Sequence, residues 1–329
     1  MHDTAVLIGR FQPWHNGHAA LLAKAFETAP HVVVVLGSAF AAPSPRNAFT
    51  ASEREAMIRA TLNDSENARL SFHSQRDVWD GIRWAREVQA AIDAMDPGRT
   101  ALVGYHKDAS SSYLDTFPAW DMVDTGRLGP LDATPLREQI LSNAPWPEVE
   151  ESLRASIPPA TLGWLGSWAE GTARQILSED RQAILDYQEA WGKGPFLTVD
   201  AVVAALGHVL LIRRGKKPGQ GLLALPGGFL EADESLDDAA RRELEEETGL
   251  ILGGLRTART QVFAHPGRSQ RARIITHAFL FLPGWQKLPE VHGADDAADA
   301  HWMPLSELAA HEAEFFGDHF HILSQLLSG

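Results

Sequence analysis

The sequence predicts a two-domain α/β protein, with a doubly wound parallel sheet first and a strand-rich α+β domain second. Three observations support this fold class. The chain has 329 residues, which is too long for one ordinary core and suits two. Apolar strand-like runs alternate with helix-like segments over the first part, as a parallel sheet with crossover helices requires. After a Gly/Pro break at 192–195, the pattern changes to strands separated by turns and one helix.

The first domain begins with TAVLIG, a short apolar run that predicts a buried strand. GHAALLAKAFETA predicts a helix and HVVVVLGS a second buried strand. A helix follows in TASEREAMIRATL, where Thr50 and Glu53 have the spacing of a capping box. IRWAREVQAAIDAM predicts another helix and TALVG another strand. This order places Gly9, Gly37 and Gly104 at the carboxyl ends of strands, where doubly wound sheets bind ligands.

The domain boundary is predicted from the chain between 172 and 197. TARQILSEDRQAILDYQEAW has apolar residues at approximately helical spacing. The Gly/Pro break GKGPF follows it, and then the strand-like segments LTVDAVVAAL, HVLLIRRG, QVFAHPG and RIITHAFLFL. We therefore expect a first domain at 1–191, a linker at 192–197 and a second domain at 198–329.

Composition excludes several classes of function. The chain has no cysteine, which excludes disulfides, thiolate metal sites and cysteine catalysis. A formal net charge of −14 makes general nucleic-acid binding a poor hypothesis. No apolar run approaches the ~20 residues that span a bilayer, and no secretion signal is recognisable, so the cytoplasm is the expected compartment. The sequence leaves the oligomeric state open, with a homo-oligomer among the options.

The first motif is GRFQPWHNGH, directly after the first predicted strand. Arg10 lies at the strand end, and His15 and His18 lie at the opening of the next helix. Unpaired backbone N–H groups at a helix start suit a phosphate, and two imidazoles can donate hydrogen bonds to its oxygens. A zinc site would need a third ligand, and no cysteine or nearby carboxylate supplies one. Two capping or core histidines are the remaining alternative.

GRFQPWHNGH resembles the signature of the HxGH nucleotidyltransferases, specifically the nicotinamide-nucleotide adenylyltransferases of the archaeal and bifunctional type. RNAFTASEREAMI and GYHKDASSSYLDTFPAW resemble further segments of that family. ATPLREQI occupies the place of its second signature, a Ser/Thr-rich turn ending in arginine, but Asp132 and Ala133 stand where the family has serines. The resemblance implies a Rossmann-like fold for the first domain.

The resemblance also implies a reaction, in which the phosphate of nicotinamide mononucleotide (NMN) attacks the α-phosphorus of ATP to give NAD and pyrophosphate. The nucleophile is already an anion, so positioning, Mg²⁺ and fixed positive groups suffice. The catalytic set implied is His15, His18, Arg10 and Arg137. The substrate-binding set implied is Gly9, Arg46, Trp84, Gly104, Asp108 and Thr134, with Trp84 stacked on the nicotinamide ring. For Trp84, a core tryptophan on an amphipathic helix is the alternative.

The second motif reads G-x5-E-x7-R-E-L-x-E-E-x-G-L from Gly228 to Leu250. Glu243, Glu246 and Glu247 share one helix face because they are spaced i, i+3 and i+4. Such carboxylates repel one another unless a hard divalent ion, Mg²⁺ or Mn²⁺, lies between them. The same residues on a solvated acidic helix face are the alternative. The fixed positions include Gly228, Glu234, Arg242, Glu243, Glu246, Glu247 and Gly249, with Arg242 and Glu234 able to orient the carboxylates and Gly249 able to cap the helix.

This pattern resembles the Nudix box at every fixed position, which implies a Nudix α+β sandwich. It also implies hydrolysis of a nucleoside diphosphate linked to another group, with Glu246 catalytic. HPGRSQRARIITHAFLF and the segment 296–323 resemble the bifunctional adenylyltransferase–Nudix enzymes, whose hydrolase half cleaves ADP-ribose to AMP and ribose 5-phosphate. Several basic residues of this domain either contact phosphates or belong to ordinary basic loops. They are Arg268, Arg271, Arg273 and the run at 213–217.

The sequence thus indicates a bifunctional enzyme of NAD metabolism that acts on ATP, NMN and ADP-ribose with Mg²⁺ or Mn²⁺, and binds neither nucleic acid nor membrane. Three alternatives stay open at this point. The Nudix half could cleave NADH or a diadenosine polyphosphate. It could sense an NAD metabolite as a regulator. The transferase half could use another acceptor, such as nicotinic acid mononucleotide or a pantetheine phosphate.

Overall fold

The computed structural model describes residues 2–106 and 109–328, with the backbone alone described for 109–112. The chain forms two compact units, Met1–Ser178 and Glu179–Gly329. The division falls inside the long helix Thr172–Trp191, which the sequence predicted with these bounds. The linker at 192–197 stays a prediction about where the functional domains divide.

The first unit is built on a five-stranded sheet in which every pairing is parallel, in the order β3-β2-β1-β4-β5. This confirms the doubly wound parallel sheet. Its strands are β1 (Thr4–Gly9), β2 (His31–Leu36), β3 (Leu70–Ser74), β4 (Thr100–Gly104) and β5 (Asp121–Asp124). Its helices are α1 (Asn16–Thr28), α2 (Ala51–Arg59), α3 (Asp64–Asn67), α4 (Gly81–Asp93), α5 (Ala133–Ile140), α6 (Trp146–Leu153), α7 (Pro159–Ala169) and the first turns of α8 (Thr172–Trp191), with a 3₁₀ helix at Ala109–Thr116.

The central strands are apolar at successive positions because both faces of the sheet are covered. On β1, Ala5 and Leu7 face one core cluster, and Val6 faces the other. On β2, Val34 faces the first of these clusters and Val33 faces the second. A strand with only one buried face would alternate apolar and polar residues. The packing therefore explains why these runs were recognisable from sequence, and it brings the ends of β1, β2 and β4 to one edge.

Helix α2 begins with the predicted capping box. The backbone N–H of Glu53 donates to Thr50 Oγ1 at 3.3 Å, and the backbone N–H of Thr50 donates to Glu53 Oε2 at 2.7 Å. The box fixes the entry of the helix that carries Arg54, a fully buried arginine. Arg54 Nη1 donates to the carbonyls of Arg10 and Gly37, both at 2.7 Å. One guanidinium therefore joins the loops that follow β1 and β2.

We expect Arg54→Met to lower the free energy of unfolding of the first unit by about 3 kcal/mol, because several buried carbonyls lose their donor. Calorimetric unfolding of the full chain measures this effect. Arg83 is exposed and pairs with Glu87 at 2.8 Å, so Arg83→Met should change stability by only about 0.5 kcal/mol. Equal shifts for the two variants would contradict the role assigned to Arg54.

The second unit contains a mixed seven-stranded sheet in the order β10-β11-β6-β7-β12, with β8 paired to β7 and β9 to β6. β11 and β6 are parallel, and the other pairs are antiparallel. The strands are β6 (Phe196–Ala205), β7 (His208–Arg214), β8 (Leu223–Ala224), β9 (Gly227–Phe229), β10 (Arg259–Phe263), β11 (Ile274–Phe281) and β12 (Ala297–Pro304). The helices are the rest of α8, α9 (Leu236–Thr248), α10 (His319–Leu327) and a 3₁₀ helix at Leu308–Glu314.

The expectation of a single helix in the second domain was wrong. Helix α10 buries Ile322, Leu323 and Leu326 against the sheet, in the core cluster that also contains Phe315. Its nine residues are too few to show a helical period clearly in sequence. Within residues 2–106 and 109–328, no helix is both long and apolar enough to cross a bilayer.

Candidate active sites

The first candidate site is built around the turn from β1 to α1. Phe11 takes a left-handed backbone conformation (φ 51°) directly after Arg10. His15 is the N-cap of α1, and its Nδ1 accepts from the backbone N–H of His18 at 3.3 Å. The two imidazole rings stack with centroids 3.6 Å apart. Because Nδ1 of His15 is an acceptor, the proton of a neutral His15 ring lies on Nε2.

Burial lowers the pKa of His18 well below its ordinary value, and the neighbouring His15 lowers it further. His18 is therefore neutral near pH 7. Its Nδ1 is sealed from solvent and has no hydrogen-bond partner among the described residues. A neutral imidazole still donates one N–H, so it can contact a phosphate oxygen without carrying a charge that burial would oppose.

A cavity of about 220 Å³ brings together five of the ten predicted transferase residues. Its lining includes Arg10, His15, His18, Thr134 and Arg137 from the predicted set, together with Gln12, Gly17, Tyr105, Leu128, Asp132 and Ala133. The sequence analysis did not single out Tyr105 or Leu128. Both lie on loops that follow strands of the sheet, and their approach to the cavity depends on tertiary packing.

Positive charge is concentrated beside this cavity. Arg137 is buried, and its Nη1 donates to the carbonyl of Gln12 at 2.7 Å and its Nε to that of Pro45 at 2.9 Å. Burial, with a smaller contribution from Arg10, lowers the pKa of Arg137 to about 10. Burial and Arg10 likewise lower the pKa of Arg46. Three guanidiniums that repel one another in this way favour a bound anion.

The segment that departs from the family signature forms the start of α5. Asp132 is the N-cap residue, but its side chain makes no capping hydrogen bond. Instead its carboxylate lies 3.6 Å from the guanidinium of Arg127. The second signature is therefore a helix N-terminus on the cavity wall, where the sequence indicated a turn. Backbone N–H groups of such a first turn can replace serine hydroxyls as phosphate donors.

Three more predicted transferase residues, Gly9, Trp84 and Gly104, are not among the residues that line the cavity. Trp84 packs edge-on against Tyr113 and Phe117, with ring centroids 5.8 and 6.2 Å apart. Gly104 is buried at the end of β4. A side chain at Gly9 would overlap the ring of Phe11. Asp108 lies outside the described residues. The assignment of these four to substrate stays a prediction.

The second candidate site lies along one face of α9. The helix begins at the N-cap Ser235 and ends at Gly249, whose φ of 70° confirms the predicted C-cap glycine. Arg242 is the central cation of the site. It donates to Glu234 at 2.7 and 3.0 Å, and to Glu243 and Glu246 at 2.9 Å each.

The third carboxylate of the box is more buried. Glu247 is 5% exposed, and its Oε2 accepts from the backbone N–H of Gly227 at 2.9 Å. Burial, with a smaller contribution from Glu243, raises the pKa of Glu247 to about 8. Burial also raises the pKa of Glu243. Carboxylates held together at this cost are stabilised by a divalent cation, so hard oxygen ligands here fit Mg²⁺ or Mn²⁺.

Arg242 is the cation that balances the negative charge of these carboxylates. In the part of the chain that the structure describes, no three His, Asp or Glu side chains converge as a ligand set, either at this helix or around His15 and His18. Glu243 and Glu246 both face Arg242. A bound cation would therefore require these two carboxylates to turn away from the guanidinium. The metal-ligand assignment stays a prediction.

Gly228 of the box lies against Glu243. A Cβ at Gly228 would overlap the Glu243 carboxylate. We expect Gly228→Ala to displace that carboxylate and to lower activity of the second unit by about 10²-fold, because small misplacements at a reacting centre have large effects. Steady-state hydrolysis rates measure the change. Gly254→Ala is the matched control, since nothing lies within 4 Å of a Cβ there. Equal loss in both variants would contradict the argument.

Two family models match the chain, one in each unit. The cytidylyltransferase-like model matches residues 6–91, and the NUDIX domain model matches residues 195–326. The first covers most of β1, all of β2 and β3, and the motif of the β1–α1 turn. The second includes the whole α9 box. The fold and sites therefore define a nucleotidyltransferase unit joined to a Nudix unit.

Relatives of known activity match each half. The nicotinamide/nicotinic acid mononucleotide adenylyltransferase of Acinetobacter baylyi is 31% identical over 184 residues, which are 55% of this chain and 94% of that protein. The ADP-ribose pyrophosphatase of Methanocaldococcus jannaschii is 34% identical over 122 residues, 35% of this chain and 64% of that protein.

A protein whose structure is solved matches the whole chain. It is the bifunctional NMN adenylyltransferase/ADP-ribose pyrophosphatase of Francisella tularensis, complexed with AMP and a manganese ion. It is 30% identical, with a TM-score of 0.88 over 100% of this chain and 99% of that one. This chain belongs to the family of bifunctional NMN adenylyltransferase/Nudix proteins.

Proposed function

We propose that this chain is a bifunctional enzyme. Its first unit transfers AMP from ATP to NMN, giving NAD and pyrophosphate. Its second unit hydrolyses ADP-ribose to AMP and ribose 5-phosphate. The observation that carries the proposal is the full-length likeness to a bifunctional enzyme of this kind, with both motifs intact on matching elements.

In the first unit, the phosphate of NMN attacks the α-phosphorus of ATP, and pyrophosphate leaves. The attacking oxygen is already anionic, so no base is needed. His15, His18 and Thr134 hold ATP phosphates in the cavity, and Arg10, Arg46 and Arg137 stabilise charge on the phosphorus that reacts. Mg²⁺ on the ATP phosphates supplies further neutralisation when bound. Because the pKa of His18 is lowered, its ring stays neutral near pH 7 and keeps one N–H to donate.

In the second unit, Glu243, Glu246 and Glu247 would hold the divalent ion, Mg²⁺ or Mn²⁺. When bound, the ion makes water more acidic and polarises the pyrophosphate. Arg242, itself fixed by Glu234, holds Glu243 and Glu246 on one side of the box, and they would turn from it to reach the ion. Glu246 is the more exposed of these two carboxylates, with its side chain 47% exposed against 13% for Glu243. Glu246 is therefore the group that accepts the proton of the attacking water.

A substrate panel tests both halves of this proposal. With ATP, we expect NMN to be adenylylated faster than nicotinic acid mononucleotide, and a pantetheine phosphate to be inert. With Mg²⁺ or Mn²⁺, we expect ADP-ribose to be cleaved faster than NADH or a diadenosine polyphosphate, and a chelator to stop the cleavage. Transfer only to the pantetheine phosphate, or hydrolysis that survives the chelator, would contradict the proposal.

A further inference from the structure

Two arginines of the second unit share one aromatic ring. The guanidinium carbon of Arg214 lies 4.1 Å from the centroid of Phe316, and that of Arg271 lies 5.8 Å from the same centroid. Arg271 is also 5.7 Å from the ring centroid of Tyr187, on α8. Each distance is in the range of a cation–π contact. Two like charges are thus concentrated around Phe316.

No carboxylate pairs with either guanidinium among the described residues. Arg214 Nε donates to the carbonyl of Pro218 at 3.2 Å. Arg271 Nε is sealed from solvent and has no hydrogen-bond partner. Burial and the neighbouring Arg271 lower the pKa of Arg214 to about 10. Burial, with a smaller contribution from Arg268, lowers the pKa of Arg271. A buried charged donor without an acceptor is costly, and an anion at this place would remove the cost.

Three buried carboxylates of the second unit are engaged elsewhere. Both oxygens of Asp180 accept from the backbone N–H of Gly219 at 3.1 Å. Asp200 Oδ2 accepts from Thr276 Oγ1 at 2.6 Å. Asp318 forms a buried two-point ion pair with Arg268, with both distances 2.9 Å. Arg268 is therefore structural. Arg271 lies on the same loop, and the described residues provide it with no ion pair.

The pair is held in place by its surroundings. Gly219 has φ 78°, and a Cβ on it would overlap the ring of Phe316. Gln188 Nε2, on α8, donates to the carbonyl of Arg271 at 3.0 Å. The positions of both the ring and the loop are thus fixed before any ligand binds, which reduces the entropy lost on binding.

The pair also lies near the box on α9, because Arg214 pairs in register with Ala297 of β12, and the backbone N–H of Ala294, three residues before it, donates to the carbonyl of Glu247 at 3.1 Å. We propose that Arg214 and Arg271, around Phe316, bind the phosphates of a nucleoside diphosphate linked to a second group. This inference rests on the proposed hydrolase function and adds the residues that hold its substrate. Guanidinium groups suit this task because they present several donors to phosphate oxygens.

The test is the steady-state kinetics of Arg271 variants of the full chain with the panel compound that the unaltered chain cleaves fastest. We expect Arg271→Ala to raise KM at least tenfold, because a charge-assisted contact is lost, and to change kcat less than threefold. Arg271→Lys keeps the positive charge but loses the planar guanidinium, which can donate two parallel hydrogen bonds. We therefore expect its KM to lie between those of the unaltered chain and Arg271→Ala. NAD synthesis should stay unchanged in both variants, as a check on folding.

Arg256 provides the matched control, since it is an exposed arginine of the same unit, and Arg256→Ala should leave KM unchanged. If Arg271→Ala behaves like Arg256→Ala, the inference fails while the proposed hydrolase stands. A fall in kcat at constant KM would also overturn it, because it would indicate a structural role. If the unaltered chain cleaves no compound of the panel, the hydrolase proposal and this inference fail together.

Discussion

Substituting His18 by alanine is expected to lower the rate of NAD synthesis by about 10²–10³-fold, the usual loss when one donor to a developing negative charge is removed. His18 lines the cavity with His15 and Arg137, and its buried Nδ1 has no partner within the described residues. NAD formed from ATP and NMN measures the effect. Hydrolysis of ADP-ribose by the same preparation should not change.

His31 is a matched control in the same unit, because it begins β2 at the opposite end of the strand from the cavity. His31→Ala should retain NAD synthesis within about twofold, as expected for a surface position. Near-normal synthesis in His18→Ala would remove His18 from the catalytic set and would favour the alternative of two capping or core histidines.

Substituting Glu246 by glutamine is expected to lower the rate of ADP-ribose hydrolysis by about 10²–10⁴-fold, the range for loss of a general base. The change keeps the shape of the side chain and removes both its charge and its ability to accept the proton. AMP release, followed by chromatography in the presence of Mn²⁺, measures the effect. NAD synthesis should stay at the level of the unaltered chain.

Glu245 provides the matched control for this substitution. It is the neighbouring residue on α9, is exposed, and lies off the face shared by Glu243 and Glu246. Glu245→Gln should therefore leave hydrolysis unchanged. Equal losses at Glu245 and Glu246 would indicate that the hydrolysis rate depends only on the net charge of the helix. This result would favour the alternative in which the acidic run is a solvated helix face.

The elements that sequence predicted well are those whose local pattern and tertiary environment agree. β1 and β2 are apolar throughout because both faces of the sheet are covered, and α2 carries its own capping box. The bounds of α8 were likewise predicted from its helical period. In the box on α9, the spacing alone puts Glu243 and Glu246 on one face, and the structure places Arg242 between them and Glu234.

The features that were missed depend on contacts between residues far apart in the chain. Arg54 reads as an ordinary helix residue, yet it is fully buried and supports the Arg10 loop. Tyr105 reaches the cavity only because β4 lies beside β1. Arg268 and Arg271 looked equivalent in sequence, and only the carboxylate of Asp318 distinguishes them. Local pattern carries no information about such partners.

The central claim is that one chain holds two independent sites, and it is tested most directly by following NAD and AMP in parallel. Three proteins are compared: the unaltered chain, His18→Ala and Glu246→Gln, each first with ATP and NMN and then with ADP-ribose and Mn²⁺. We predict that each substitution removes one product and leaves the other at the unaltered level. Loss of both products from either variant, with its thermal unfolding unchanged, would contradict the claim.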